Sequence, residues 1–307
     1  MESSKNQNLP LVIAAFISIY LIWGSTYLFN KILVAELPPF LFAGIRFVTA
    51  AIIIFGIAAV RGKLGSASKK QLINSAFAGF LFLTVGNGCA VWALQFIDSS
   101  LEALLISAQP LILIIMLYFM EKKPIYLKSM IGVALGILGI YLLVSQGDVN
   151  AGPDKWWGIG AVFIALVCWG YGSIFVSKAD FPKNSFIKSG YQMLFGGGMM
   201  LILSFVLNEP SAGIFTMSDK AIYGMIYLIT FGSIVAFTSF NYLLLTVSPE
   251  KVATSTYINP IVAMLLGWWI LDEVITNQAI VAALVLLTGV YFINSSRSKA
   301  VKVKSSV

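Results

Sequence analysis

Ten apolar segments, each long enough to cross a lipid bilayer, constrain this sequence more than any other feature. A membrane-spanning helix needs about 20 mostly apolar residues. The segments lie at 11–34, 38–60, 72–93, 99–120, 125–145, 156–178, 186–207, 219–245, 250–271 and 274–294. They are too long for the strands of a membrane β-barrel and lack the alternation of such strands. Because backbone groups in lipid have to be bonded within their own segment, the sequence predicts an all-α membrane protein with ten transmembrane helices.

The composition excludes several classes of protein. Charged residues make up 11% of the chain, against about 25% in soluble domains, so an ordinary soluble enzyme and a disordered chain are excluded. The sequence contains no histidine and no GxxxxGK[ST] loop, and it therefore has no Ser–His pair, HExxH zinc site or ATP-hydrolysing loop. We expect no enzymatic activity, no metal and no cofactor.

The positions of lysine and arginine predict how the chain crosses the membrane. If the N-terminus and the even-numbered loops share one side, that side holds 16 of these residues and the other side holds 3. Positive residues are retained in the cytoplasm, so both termini are predicted to be cytoplasmic. The net charge of +7 is thus a topology signal, and we expect no nucleic-acid partner. The basic tail at 295–307 has two interpretations: it contacts anionic lipid headgroups, or it acts only as a topology signal.

The chain matches itself at an offset of about 150 residues. Near the start of each half a Trp-Gly pair leads to a lysine, and later each half has a helix with a central proline and a carboxylate at its end. The matching positions are Trp23-Gly24 and Trp169-Gly170, Lys31 and Lys178, Gln109-Pro110 and Asn259-Pro260, and Glu121 and Glu273. Five spans in each repeat, 11–145 and 156–294, place the second repeat upside down, which is typical of secondary transporters.

Several motifs in this order resemble the EamA branch of the drug/metabolite transporter superfamily, over about residues 10–295. They are Ile22-Trp23-Gly24-Ser25-Thr26-Tyr27, Ala43-Gly44-Ile45-Arg46-Phe47, Val85-Gly86-Asn87-Gly88, Phe231-Gly232-Ser233-Ile234, Val247-Ser248-Pro249 and Ile258-Asn259-Pro260-Ile261-Val262-Ala263. The resemblance implies ten helices in two EamA repeats, a central cavity, and export of amino acids, metabolites or drug-like compounds across a bacterial inner membrane. The second repeat departs from the pattern, because Tyr171 changes the spacing of its Trp-Gly motif.

Sixteen residues are candidates for binding a substrate at mid-membrane depth. They are Trp23, Ser25, Thr26, Asn30, Arg46, Asn87, Trp92, Gln109, Pro110, Trp169, Ser173, Asn241, Tyr242, Tyr257, Asn259 and Pro260. Each proline frees the carbonyl four residues earlier, of Ile106 or Thr256, to face a cavity, although a packing kink gives the same pattern. The two Trp residues lie too deep for interfacial anchors. The deep Asn and Tyr side chains suit a cavity or hydrogen bonds between helices.

Arg46 is the one cation well inside a predicted span. An arginine at this depth faces the protein interior and a partner by default, and Glu102 and Glu36 are the candidate partners. The sequence leaves open a structural ion pair, snorkelling to the interface, a gate residue and a binder of a substrate carboxylate.

Glycines recur on two helices, at Gly132, Gly136 and Gly139 and at 196–198. Small residues let transmembrane helices approach closely. These faces suit packing within one chain or between two copies in a homodimer.

These features favour a secondary transporter that works by alternating access, with the bilayer and a small-molecule substrate as its partners. A channel or a sensor without active transport is the alternative, although we find neither a filter sequence nor a ring of like charges. The Trp, Tyr, Ser, Asn and Gln candidates predict a neutral or zwitterionic solute of modest size. Proton coupling has little support, because only Glu102 is an acidic residue clearly within a span.

Overall fold

The computed structural model describes residues 9–122, 127–145 and 154–304, which fold into ten helical stretches without a strand among them. Their bounds are α1 Leu9–Val34, α2 Pro39–Val60, α3 Lys69–Ala93, α4 Ser99–Glu121, α5 Leu127–Val144, α6 Lys155–Lys178, α7 Ser185–Val206, α8 Asp219–Thr246, α9 249–271 and α10 Asn277–Lys304. Seven of them, all except α5, α9 and α10, are long and apolar enough to cross a membrane. The all-α class is confirmed, and ten membrane crossings remain a prediction.

The observed bounds follow the predicted spans within a few residues, with one difference at the end of the chain. Residues 295–304, predicted as a separate basic tail, continue α10. The segment between α7 and α8 also contains a short 3-10 helix, Ala212–Thr216.

Two helices contain π-helical segments at matching positions of the two halves. In α3 the segment Phe80–Asn87 separates two α-helical pieces, and in α8 the segment Leu228–Phe237 does the same. Such segments are rare and are often found at functional sites. The sequence did not indicate them, because apolar periodicity does not distinguish i→i+5 from i→i+4 bonding.

Two further helices are interrupted before their prolines. The α4 helix consists of Ser99–Ile106 and Gln109–Glu121, and α9 consists of Pro249–Val252, the 3-10 segment Ala253–Tyr257, and Asn259–Leu271. Each proline lies in the first turn of its second piece, where its missing N–H costs nothing. The prolines therefore begin a new helical piece instead of kinking a continuous helix.

The helices α1 and α6, the first of each half, run in opposite directions. Lys31, in the last turn of α1, donates hydrogen bonds to the carbonyls of Leu94 and Ile97. Gly158, near the start of α6, packs against Ala93 and Ile97 of the same region. We call this the Lys31 end of the bundle, and the opposite end, where α6 finishes, the Lys178 end.

The glycine-rich faces pack helices of the same chain. A Cβ at Gly289 of α10 would lie 2.6 Å from the carbonyl oxygen of Gly132, and one at Gly139 would lie 2.8 Å from Leu286. Gly196 approaches Gly79 in the same way, at 2.7 Å. Close packing of α5 on α10 and of α7 on α3 thus explains Gly132, Gly139 and Gly196, whereas a Cβ at Gly198 would meet no atom within 4 Å. A homodimer through these faces remains a prediction.

Candidate functional site

A cavity of ≈ 130 Å³ lies between the two halves, and most of its exposed lining is apolar with polar side chains interspersed. Its described lining comes from α1 to α4 and from α6, α8 and α9. Nine of the sixteen candidates line it, and they are Trp23, Thr26, Asn30, Arg46, Asn87, Gln109, Trp169, Ser173 and Asn259. Ile106 and Thr256, whose carbonyls were predicted to face a cavity, also line it.

The two matching tryptophans meet in the wall of this cavity. The rings of Trp23 and Trp169 are 5.5 Å apart and nearly perpendicular, at 81°. Phe240 contacts both rings, at 5.1 and 5.2 Å, and Phe82 contacts Trp169 at 4.8 Å. Edge-to-face aromatic pairs of this kind are worth about 0.5–1.5 kcal/mol beyond their burial. The centre of the bundle is therefore an aromatic cluster with one side facing the cavity.

The two matching amides hold the interrupted helices to the first helix of the other half. Gln109 of α4 donates to the carbonyl of Leu166 in α6, at 3.2 Å. With its amide nitrogen turned toward the neighbouring carbonyls, Asn259 of α9 donates to Tyr20, Ser255 and Ile19 at 2.8, 3.1 and 3.2 Å. Each amide donates a hydrogen bond to a backbone carbonyl of the other half and also lines the cavity. A movement of either interrupted helix relative to that half would therefore change the cavity wall.

Arg46 is buried in the cavity wall, with 3% of its surface exposed. Its Nε donates to Ser233 Oγ at 2.8 Å and its Nη1 donates to Asn30 Oδ1 at 3.2 Å. Its guanidinium carbon lies 4.7 Å from the ring centre of Phe47. A Cβ at Gly232 would lie 3.0 Å from Nη2, so the absence of a side chain at Gly232 makes room for the guanidinium.

Neither carboxylate proposed as a partner forms an ion pair with Arg46. Glu36 instead accepts hydrogen bonds from the backbone N–H and the hydroxyl of Ser218, at 2.9 and 2.5 Å. These bonds lower the pKa of Glu36. Glu102 lines the same cavity as Arg46, but no ion pair within 4.0 Å joins the two described side chains.

Glu102 is a cavity residue that the candidate set missed. It is 1% exposed, and its Oε2 has no hydrogen-bond partner among the described residues. Tyr27 of α1, which the candidate set also missed, is buried beside Ala103 of α4, the residue that follows Glu102. A signal for both was present in the sequence, because Glu102 is the acidic residue clearly within a span and Tyr27 lies one turn from Trp23 and Asn30.

Six candidates lie away from the described cavity lining. Ser25 bonds the hydroxyl of Tyr227 at 2.6 Å, Trp92 packs on Phe96 at 4.6 Å, and Asn241 donates to Ser189 and Gln192. The remaining three are Tyr242, Pro110 and Pro260. The side chain of Tyr257 lies outside the described residues.

The Lys31 end is held by two sets of polar contacts. Lys31 donates to the carbonyls of Leu94 and Ile97, each at 2.8 Å, and lies 4.0 Å from Asp98. Burial raises the pKa of Asp98, although the charge of Lys31 opposes this shift. Glu273, after α9, accepts from the backbone and hydroxyl of Ser99 at 2.9 and 2.6 Å and from Ser100 N–H at 3.1 Å, capping the start of α4.

The matching residues at the Lys178 end have different partners. Lys178 forms an ion pair with Glu121 at the end of α4. Glu121 is the last residue of its helix, whereas Glu273 follows a residue in the left-handed conformation, Asp272 with φ 55°. The two ends therefore use matching residues in different contacts.

The fold and the site define a multi-pass helical membrane protein in which two similar halves line a shared cavity. Matches to the model of the EamA-like transporter family cover residues 10–145 and 156–295. The chain belongs to this family, and the resemblance that the motifs carry is confirmed.

Individual relatives agree with this assignment. The chain is 33% identical over 290 residues to the uncharacterized inner membrane transporter YedA of Escherichia coli (strain K12), covering 92% of each chain. It is 24% identical to the transporter YoaV of Bacillus subtilis, covering 91% of this chain and 95% of the relative. One solved crystal structure matches with a TM-score of 0.66 at 17% identity, over 92% of this chain and 96% of the other, and shows the same fold. YedA and YoaV are named as transporters, not as enzymes.

Proposed function

We propose that this protein is a secondary transporter that moves a small polar metabolite across the membrane by alternating access. The observation that carries the proposal is the cavity between the halves, where the broken helices α4 and α9 are each bonded by an amide to the first helix of the other half. Interrupted helices at matching positions of two repeats are the usual site of substrate binding in such transporters. A cavity tied to both halves changes shape when the halves rock.

The proposed topology has ten spans, two inverted repeats and both termini in the cytoplasm. The distribution of Lys and Arg supports this orientation, and it puts the Lys31 end outside and the Lys178 end inside. The name of the relative YedA supports an inner membrane location. Export as the direction of transport comes from the family resemblance.

The mechanism needs two conformations of similar free energy and no covalent chemistry. In the conformation described here, Lys31 and Glu273 tie together the ends of α1, α3, α4 and α9. We propose that these contacts close the outer side and that they break when the cavity opens outward.

Flux into liposomes that contain the purified protein tests the proposal. The vesicles are preloaded with an unlabelled metabolite, and uptake of the same labelled compound is followed for a panel of amino acids, nucleosides and sugars. A transporter gives uptake that saturates with concentration and is accelerated by the preloaded solute. Flux that stays linear with concentration would identify a channel, and no flux for any solute would contradict transport of these classes.

A further inference from the structure

Two buried groups of opposite charge line one cavity without contacting each other. Arg46 on α2 and Glu102 on α4 are 3% and 1% exposed, and both belong to the cavity wall. Within the part of the chain that the structure describes, neither forms an ion pair within 4.0 Å. Unpaired charges inside a membrane protein are expensive and are usually functional.

Arg46 keeps hydrogen-bonding capacity directed at the cavity. A guanidinium has five N–H donors, and the bonds to Ser233 and Asn30 use Nε and Nη1. Both of these partners are neutral. Nη2, which occupies the room beside Gly232, forms no hydrogen bond to a described residue.

The buried carboxyl of Glu102 has one positive and one negative group within electrostatic range, Lys31 and Glu273. Lys31 is itself occupied by two backbone carbonyls. The oxygen Oε2 accepts no hydrogen bond from any described residue. The carboxyl group therefore lacks a donor, and a ligand could supply one.

Building on the proposed transport function, we propose that the cavity binds a zwitterion, with its carboxylate on Arg46 and its ammonium group on Glu102. A buried charge without a partner is costly. A ligand with only one charge would leave either Arg46 or Glu102 unpaired, whereas a zwitterion pairs both. Hydrogen bonds to charged groups are also the strong ones. The cavity volume of ≈ 130 Å³ is about four times that of one water in the liquid, and its aromatic wall of Trp23 and Trp169 suits the uncharged remainder of the solute.

The test compares each zwitterion with two analogues that lack one charge. Leucine, phenylalanine and threonine are each measured beside the decarboxylated amine (3-methylbutylamine, 2-phenylethylamine and 1-aminopropan-2-ol) and the acid without an amino group (4-methylpentanoate, 3-phenylpropanoate and 3-hydroxybutanoate). Affinity is measured on the purified full-length protein from ligand-dependent thermal stabilisation. We expect at least one amino acid to bind at least about tenfold more tightly than both of its analogues.

Two variants assign each charge to its residue. Glu102→Gln should lose the preference for the amino acid over the acid while keeping the preference over the amine. Arg46→Gln should show the opposite pattern, and Arg46→Lys, which keeps the positive charge, should retain part of the preference over the amine. Glu36→Gln removes a carboxylate outside the cavity and should leave both preferences unchanged.

The outcomes separate this inference from the proposed function. If the wild-type protein binds an analogue as tightly as its amino acid, or if none of the three amino acids stabilises it, the zwitterion site is wrong. Saturable flux of another solute in the liposome panel would then leave the transporter proposal intact. If both variants change both preferences equally although they melt cooperatively, the residues do not bind the two charges separately and the assignment fails.

Discussion

At the scale of single residues, the position of Trp23 separates its role from that of Trp92. Both were candidates from sequence, because both are tryptophans deep in apolar segments. Trp23 touches Trp169 and Phe240 and lines the cavity, whereas Trp92 packs on Phe96 outside the described lining. Depth along a helix can be predicted from sequence, but the direction in which a side chain points depends on the neighbouring helices.

We predict that Trp23→Ala lowers flux at least tenfold, while Trp92→Ala changes it less than about threefold. Truncating a fully buried large aromatic lowers the free energy of unfolding by about 3–5 kcal/mol, and by less here because both rings are part-buried. The two variants should therefore lose similar stability, and a difference in flux between them reports on the site. Flux is measured per molecule of protein that elutes as a monodisperse peak, and equal losses in the two variants would contradict the placement of the site.

Gly232 offers a second prediction at this scale. A Cβ there would lie 3.0 Å from Arg46 Nη2 and 3.1 Å from Thr26, so Gly232→Ala should displace the guanidinium and weaken substrate binding. Overpacking of this kind typically costs about 1–3 kcal/mol. Gly160→Ala is the matched control, because no atom lies within 4 Å of a Cβ at that position. Unchanged affinity in the Gly232 variant would show that Arg46 has room to move without effect.

At the scale of helices, the sequence predicted where the elements lie better than how they are interrupted. The bounds of the apolar segments and the paired prolines were enough to place α4 and α9 and to expect irregular backbone near Pro110 and Pro260. The 3-10 segment Ala253–Tyr257 and the π-helical segments of α3 and α8 were not expected. Local bonding patterns of this kind are set by packing against neighbouring helices, and residue propensity alone does not encode them.

The amide of Gln109 gives a prediction at the same scale. Gln109→Leu removes its bond to the carbonyl of Leu166, which loosens α4 from α6 beside the cavity. Gln278→Leu removes bonds to the carbonyl of Leu142 and to the hydroxyl of Ser145, between α10 and the end of α5. Each bond is worth about 0.6 kcal/mol by measurements on other membrane proteins, so we expect similar small decreases in melting temperature.

Only the Gln109 variant should alter transport, by about threefold or more in the concentration that half-saturates flux, because Gln109 lines the cavity and Gln278 does not. Concentration-dependent flux measured on both variants in parallel checks this. Similar kinetics in the two would mean that the contact between α4 and α6 has no influence on the site.

At the scale of the whole molecule, the sequence predicted the symmetry of the chain but not its asymmetry. Trp23 and Trp169 match in sequence and meet in space, and Gln109 and Asn259 make equivalent bonds across the halves. Lys31 and Lys178 also match, yet their partners differ. A transporter with one accessible side at a time has to break its own symmetry, so the choice of the closed end is a property of one conformation and cannot be read from repeated motifs.

The last prediction tests that asymmetry through the Lys31 end. Lys31→Met removes two charge-assisted hydrogen bonds from the closed end, and each 1.4 kcal/mol lost shifts the population of the two conformations about tenfold. Ala90 lines the cavity on α3, near this end, and is buried. In a background that lacks Cys89 and Cys168, Ala90→Cys should react slowly with a membrane-impermeant maleimide added outside, and at least several-fold faster once Lys31→Met is added.

Lys178→Met is the matched control and should not accelerate the reaction, since its ion pair with Glu121 lies at the opposite end. Acceleration by Lys178→Met alone would place the closed side of this conformation at the Lys178 end and reverse the proposed mechanism.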